Sequence, residues 1–184
     1  MNELKLSTGR PEIGSREPIE EACYDLLDRL GIEYVRADHE ALFTMEALAP
    51  VEAALGCGVA KNLFLTNRQQ TEFYLLLMPG DKPFKTKYLS AQLGCSRLSF
   101  GSEEQLVQYL GTTHGSASVL GLLNDSGKAV HLIADVDLKD AEYFACHPCR
   151  NTSTLRFSTA ALLGTVLPAL GYESTWVTLP REIE

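Results

Sequence analysis

Along the chain the apolar positions change period, and each change marks an element. From Pro18, the residues Ile19, Cys23, Leu26, Leu27 and Leu30 recur at helical spacing; Pro18 suits a first helical turn and Gly31 a C-terminal cap, so a helix is expected between them. Ile32 to Val35 reads as a short strand, and Thr44 can cap a helix that Pro50 must break or restart, giving two short helices before Gly56. Val59 to Leu65 is the next strand, and Thr71 to Met78, almost wholly apolar, is a central one. A helix capped near Thr86, a strand over Arg97 to Phe100 and a helix opened by the Ser102/Gln105 capping box and closed by Gly111 follow. The pattern then predicts strands over Val119 to Leu123 and Ala129 to Ala134, joined by a hairpin turn at Asn124-Asp125-Ser126-Gly127-Lys128. Strand-like runs at Ala141 to Cys146 and Leu155 to Phe157, a helix from a Ser158 cap to about Leu170, and an extended stretch over Tyr172 to Leu179 complete the chain. No repeat or interdomain linker interrupts it. The expected organisation is a loose polar leader (1–17), one α/β or α+β domain (18–170) and a tail (171–184).

Length agrees: 184 residues suit one domain that buries roughly 70 % of its unfolded surface. No apolar run approaches the ~20 residues of a membrane span, and Met1 to Lys5 lack a signal-peptide layout, so a cytoplasmic protein without a membrane partner is expected. The net charge of −8 argues against nonspecific binding along nucleic-acid duplexes, DNA included, while leaving room for a local basic patch gripping one RNA end. Lys82, Lys85 and Lys87 are the densest cations. Such a run is commonly a solvated helix start; but lysines near a helix N-terminus oppose its dipole, so helix stability does not explain them, and they are the candidate RNA contacts.

Five cysteines (23, 57, 95, 146, 149) are odd in number and scattered in apolar segments, which fits buried free thiols. Cys146-His147-Pro148-Cys149 is a C-x-x-C, but it falls between strand-like runs instead of opening a helix, and no second ligand pair completes a zinc site. No metal and no cofactor is expected. A redox or zinc protein is the third-ranked reading.

Three places concentrate hydrogen-bonding side chains. Lys61, in an apolar strand, is either an edge gatekeeper or a cation aimed into a site, and Asn62 beside it points to the opposite face in a regular strand. Gly115-Ser116-Ala117-Ser118 is a glycine-punctuated loop whose N–H groups can cradle a carbonyl oxygen or phosphate. His147, in the polar bend running to Thr154, serves as an acid/base or orienting group, or simply satisfies neighbouring carbonyls.

Taken in order, Lys61-Asn62-Leu63-Phe64-Leu65, then Gly115 to Leu122, Asn124-Asp125, and His147-Pro148-x-x-Asn151-Thr152-x-Thr154 resemble the YbaK/prolyl-tRNA-synthetase editing-domain family, in its freestanding prolyl-tRNA-associated deacylase branch. The resemblance covers roughly 18–170. It implies a mixed, mostly antiparallel sheet wrapped by helices and hydrolysis of the ester joining a wrong amino acid to the tRNA 3′ end. It further implies that Lys61 anchors the terminal phosphate or ribose, that Asn62 places the amino acid or water, and that His147 orients the aminoacyl group. The Gly115, Ser116, Ala117 and Ser118 loop, with Asn151, would hold the substrate. The expected partners are aminoacyl-tRNA, tRNA-Pro carrying alanine in particular, and prolyl-tRNA synthetase. The chain departs from the family at His114 and Val119, where proline is common. That departure keeps a second reading open, a non-catalytic paralogue that senses aminoacyl-tRNA or an amino acid.

Overall fold

The computed structural model describes residues 4–184. Strands β1 (Leu6–Thr8), β2 (Val35–Asp38), β7 (Tyr143–Cys146) and β8 (Ser153–Ser158) form an antiparallel sheet in the order β1-β2-β8-β7. A second sheet has the order β5-β3-β4-β6-β9, from β3 (Lys61–Thr66), β4 (Phe73–Met78), β5 (Ser99–Phe100), β6 (Val130–Asp135) and β9 (Thr175–Val177). In it β3 pairs antiparallel with β4 and β5, whereas β4–β6 and β6–β9 are parallel. The sheets meet where Ala60 N–H donates to Ala145 O at 3.0 Å, directly before β3. That junction fixes the start of β3, and with it Lys61 and Asn62, against the end of β7 that leads into His147.

β4 is central, as its composition requires. Phe73, Leu75 and Leu77 enter the main core with residues of helix α1 (Pro18–Arg29), β7 and β8; Tyr74, Leu76 and Met78 enter a second core under helix α3 (Thr86–Leu93). Period 2 sends alternate residues to opposite faces, and both are covered, so the strand is apolar throughout. α1 starts at Pro18 behind a Glu17/Glu20 capping box, and the Ser102/Gln105 box opens helix α4 (Glu103–Leu110), which Gly111 closes. Helix α2 (Ala49–Leu55) follows a 3-10 turn at Glu46–Leu48. After β8, α5 (Thr159–Ala161), a π-helical turn (Leu162–Val166) and α6 (Leu167–Leu170) run consecutively.

Four expectations need correction. Val119–Asn124 is a 3-10 turn, not a strand, because its polar groups are taken locally: Ser118 Oγ accepts Leu120 N–H, and Asn124 Nδ2 donates to Leu110 O and Gly121 O. No hairpin follows. The Asp125 carboxylate accepts Ala129 and Val130 N–H and launches β6 parallel to β4. The strand expected at Ile32 begins at Val35. The described part of the leader is not loose, since β1 pairs with β2 and Arg10 reaches Asp25 on α1 at 2.7 Å, while the extended tail carries β9, which adds an edge to the second sheet. The first three residues of the expected leader lie outside the described residues.

Candidate active site

A cavity of about 340 Å³ opens where β3 begins, bordered by Lys61, Asn62, Gly115, Ala117 and His147 together with Phe43, Phe100 and His114. Its volume suits a small organic group. Residues from five stretches far apart in the sequence thus meet at one place.

Lys61 and Asn62 diverge, as period 2 demands, yet bound the cavity from two sides. Lys61 is half-buried and its Nζ donates to the Lys82 carbonyl. Burial pushes its pKa down, while the Asp81 and Glu46 carboxylates pull it up. One of the ammonium's three N–H donors is used, leaving two. Asn62 Nδ2 donates to Ala60 O at 3.1 Å, and its Oδ1 accepts Val119 N–H at 2.8 Å.

Gly115 has φ +81, and a Cβ there would lie 2.9 Å from Phe43 Cδ1, so a close approach and a left-handed backbone both require glycine. Ser116, Ser118 and Asn151 do not border the cavity. Ser116 Oγ accepts Asn151 N–H at 3.1 Å, Asn151 Nδ2 donates to Leu42 O at 3.0 Å, and Ser118 Oγ caps Leu120. These three tie the loops together, and what reaches the cavity is Gly115 and Ala117.

His147 is 8 % exposed. Its Nδ1 lies 2.8 Å from Ser153 O, and a carbonyl only accepts, so the proton sits on Nδ1 and Nε2 carries the lone pair. Burial lowers its pKa to about 4, with the Ser153 bond opposing and nearby His39 adding to the shift. The ring is neutral at pH 7. His39 was not singled out in the sequence. Its Nδ1 bonds Glu40 O and its Nε2 bonds Thr154 Oγ1, both at 2.8 Å, and Thr154 Oγ1 is 3.3 Å from His147 Nδ1. This chain of bonds orients the His147 ring. Phe43 (71 % exposed) and Phe100 (60 % exposed) at the cavity border were missed as well, since aromatic residues in an apolar pattern read as core.

Lys82 is not a surface cation. It is 1 % exposed, and its Nζ lies 2.7 Å from Asp135 Oδ2 and 3.1 Å from Asp137 Oδ2. A charge so buried and paired is out of reach of RNA. Lys85 and Lys87 are exposed, and Phe84, beside Lys85, meets Phe100 edge-on with ring centroids 6.3 Å apart. Asn124 and Asp125 are structural, as their bonds above show.

A larger cavity, about 980 Å³, adjoins the first and shares Lys61, but Glu46, Glu52, Asp81, Asp137 and Glu142 make it unsuited to a phosphate. All five cysteines are free; Cys23, Cys146 and Cys149 are buried, and burial pushes the Cys146 thiol up to about 12, so none of the C-x-x-C chemistry is favoured. Among the described residues no group of three His, Cys, Asp or Glu side chains is placed to hold a metal, and no helix is long and apolar enough to cross a membrane.

The family model for the aminoacyl-tRNA editing domain matches residues 39–165. The prolyl-tRNA editing protein ProX of Acetoanaerobium sticklandii is 33 % identical over 132 residues, covering 72 % of this chain and 80 % of its own. Prolyl-tRNA synthetase associated domain-containing protein 1 of Danio rerio is 31 % identical over 141 residues, covering 76 % of each. The fold superposes on a solved structure described as a candidate trans-editing enzyme for prolyl tRNA synthetase, with a TM-score of 0.65 at 15 % identity over 90 % of this chain and 100 % of that one. The matched span runs from His39 through the Lys61-Asn62 pair and the Gly115 loop to past His147, and with that whole site inside it the chain belongs to the aminoacyl-tRNA editing domain family.

Proposed function

We propose that this protein is a trans-editing hydrolase that releases alanine from mischarged tRNA-Pro in the cytoplasm, working on the product of prolyl-tRNA synthetase. The observation that carries the reading is the single cavity where Lys61, the Gly115 loop and His147 converge. A relative named for prolyl-tRNA editing supports it.

The chemistry needs no strong nucleophile. Water adds to the activated ester carbonyl, the tetrahedral oxyanion collapses, the bond to the ribose oxygen breaks, and the proton released by water ends on that oxygen. Positioning and oxyanion stabilisation supply most of the rate. The two free Lys61 donors suit the terminal phosphate or ribose. Gly115 and Ala117 N–H donate to no described residue, which leaves them for the carbonyl oxygen. Neutral His147 accepts at Nε2 and orients the aminoacyl group, and Asn62 helps place it. Exposed Phe43 and Phe100 offer π faces to the unpaired terminal bases. A separate site of this kind has a physical rationale, because a pocket shaped for proline rejects a smaller side chain by only ~1–3 kcal/mol per missing methylene.

The test is deacylation of Ala-, Ser-, Cys- and Pro-charged tRNA at catalytic enzyme concentration. Multiple-turnover release of alanine from tRNA-Pro is expected, with Lys61→Ala lowering kcat/KM about 100-fold while the melting temperature holds. Tight binding without release would instead identify a sensor.

A further inference from the structure

Lys82 holds a fully buried charge, and the site described above does not account for it. Its ammonium is gripped by Asp135 at the end of β6 and by Asp137 just beyond. Asp135 is itself fixed, with Oδ1 accepting Asp137 N–H at 2.9 Å. Burying such a group is costly, and apolar residues of similar volume often hold two segments together as well or better. Bulk stability is therefore a weak reason for the pair, and placement is a stronger one.

What it places is visible at the other end of the same residue. The Lys82 carbonyl accepts from Lys61 Nζ. The loop carrying it is held closely: Lys82 N–H donates to Pro79 O at 3.2 Å, and Gly80 packs so tightly that a Cβ would lie 2.1 Å from Val59 O. Side chain anchored in β6, carbonyl turned to Lys61, Lys82 spans the distance between the sheet interior and the cavity cation. We infer that Lys82 and Asp135 are positioning residues: their buried ion pair sets the carbonyl that aims the Lys61 ammonium at the substrate. This rests on the substrate-anchoring role proposed for Lys61.

The competing role is to anchor the C-terminal segment, since Leu179 N–H donates to Asp135 Oδ2 at 3.4 Å and Arg181 pairs with Asp137 at 2.8 Å. A cycle of variants separates the two. Lys82→Met with Asp135→Asn removes both charges together and avoids an orphaned one. In an otherwise native background this pair of changes is expected to lower kcat/KM at least tenfold, with a cooperative melt retained. Added to Lys61→Ala it is expected to lower it by less than twofold more, because the aimed group is already gone. Arg181→Ala, which frees the tail from Asp137 and Asp81 but leaves the Lys82–Asp135 pair in place, is expected to stay within twofold of the native protein.

Full additivity on Lys61→Ala, native activity in the Lys82/Asp135 variant, or an equal loss in Arg181→Ala would each overturn the positioning role. An unimpaired Lys61→Ala would overturn the anchoring role of Lys61 and this inference with it, so the two failures are distinguishable. If the charge-free variant does not fold, Lys82→Arg keeps the ion pair while moving the loop, and carries the same cycle with the same outcomes.

Discussion

Asn62 Oδ1 accepts the Val119 N–H at 2.8 Å, joining the first residues of β3 to the turn that closes the glycine loop. Val119 opens that turn, where the N–H has no helical partner, and Ser118 before it is extended at φ −150, ψ 145. Proline at 119 is therefore compatible with the backbone and removes this one bond. Val119→Pro is expected to keep kcat/KM within about threefold, its fixed φ replacing the lost bond in holding the turn. Asn62→Ala is expected to lose at least tenfold, because Asn62 keeps a free lone pair and a free N–H for substrate. Equal losses in both variants, measured by deacylation, would show that Asn62 acts only by holding the loop.

Gly115→Ala meets two obstacles, the φ of +81 and the contact with Phe43. Left-handed backbone costs a residue with a Cβ roughly 1–2 kcal/mol. The variant is expected to melt several degrees lower and to lose at least tenfold in kcat/KM. Adding Phe43→Ala removes the clash but not the strain, so it should restore part of the melting temperature. Complete restoration would mean that φ had relaxed.

The folded-state pKa of His147, about 4, lies below the ordinary histidine value of 6.5. Between those values the unfolded chain binds the proton and the folded chain does not, so stability falls as pH drops from about 6.5 to 4, by on the order of 3 kcal/mol. Denaturant unfolding at pH 7 and pH 4.5 should show this slope in the native protein and a shallower one in His147→Gln. Above pH 6 the ring stays neutral, so it should add no break to the activity profile. An acid slope unchanged in His147→Gln would place the titration elsewhere.

With Lys82 buried, the RNA contacts proposed for the lysine run fall to Lys85 and Lys87. Lys85→Ala with Lys87→Ala is expected to raise KM for charged tRNA several-fold and leave kcat nearly intact. Each lost phosphate contact should flatten the salt dependence by about 0.7 in log–log slope on a single strand. An unchanged KM and slope would put the RNA surface on another face.

Local chemistry made much of this protein readable in one dimension. Capping boxes, the Gly111 stop and the doubly apolar β4 follow from bonds and periodicities within a few residues, and the ordered motifs from Lys61 to Thr154 include Lys61, Asn62, Gly115, Ala117 and His147, which border one cavity. Sequence pattern could not tell which polar side chains look into the cavity and which hold it closed. Ser116, Ser118 and Asn151 read as substrate groups but bond the neighbouring loops. Lys82 read as a surface cation because Asp135, its partner, lies 53 residues away and meets it only through the pairing of β4 with β6. The strand expected at Val119 is a turn because Ser118 Oγ takes the Leu120 N–H, and Asn62, 57 residues away, takes the Val119 N–H as well. Short-range sterics and hydrogen bonds made most helix starts and stops, and the short motifs, legible in the chain alone. Which of the residues in those motifs face the cavity was settled only by the packed fold, because burial and long-range partners set the direction and free donors of a polar side chain.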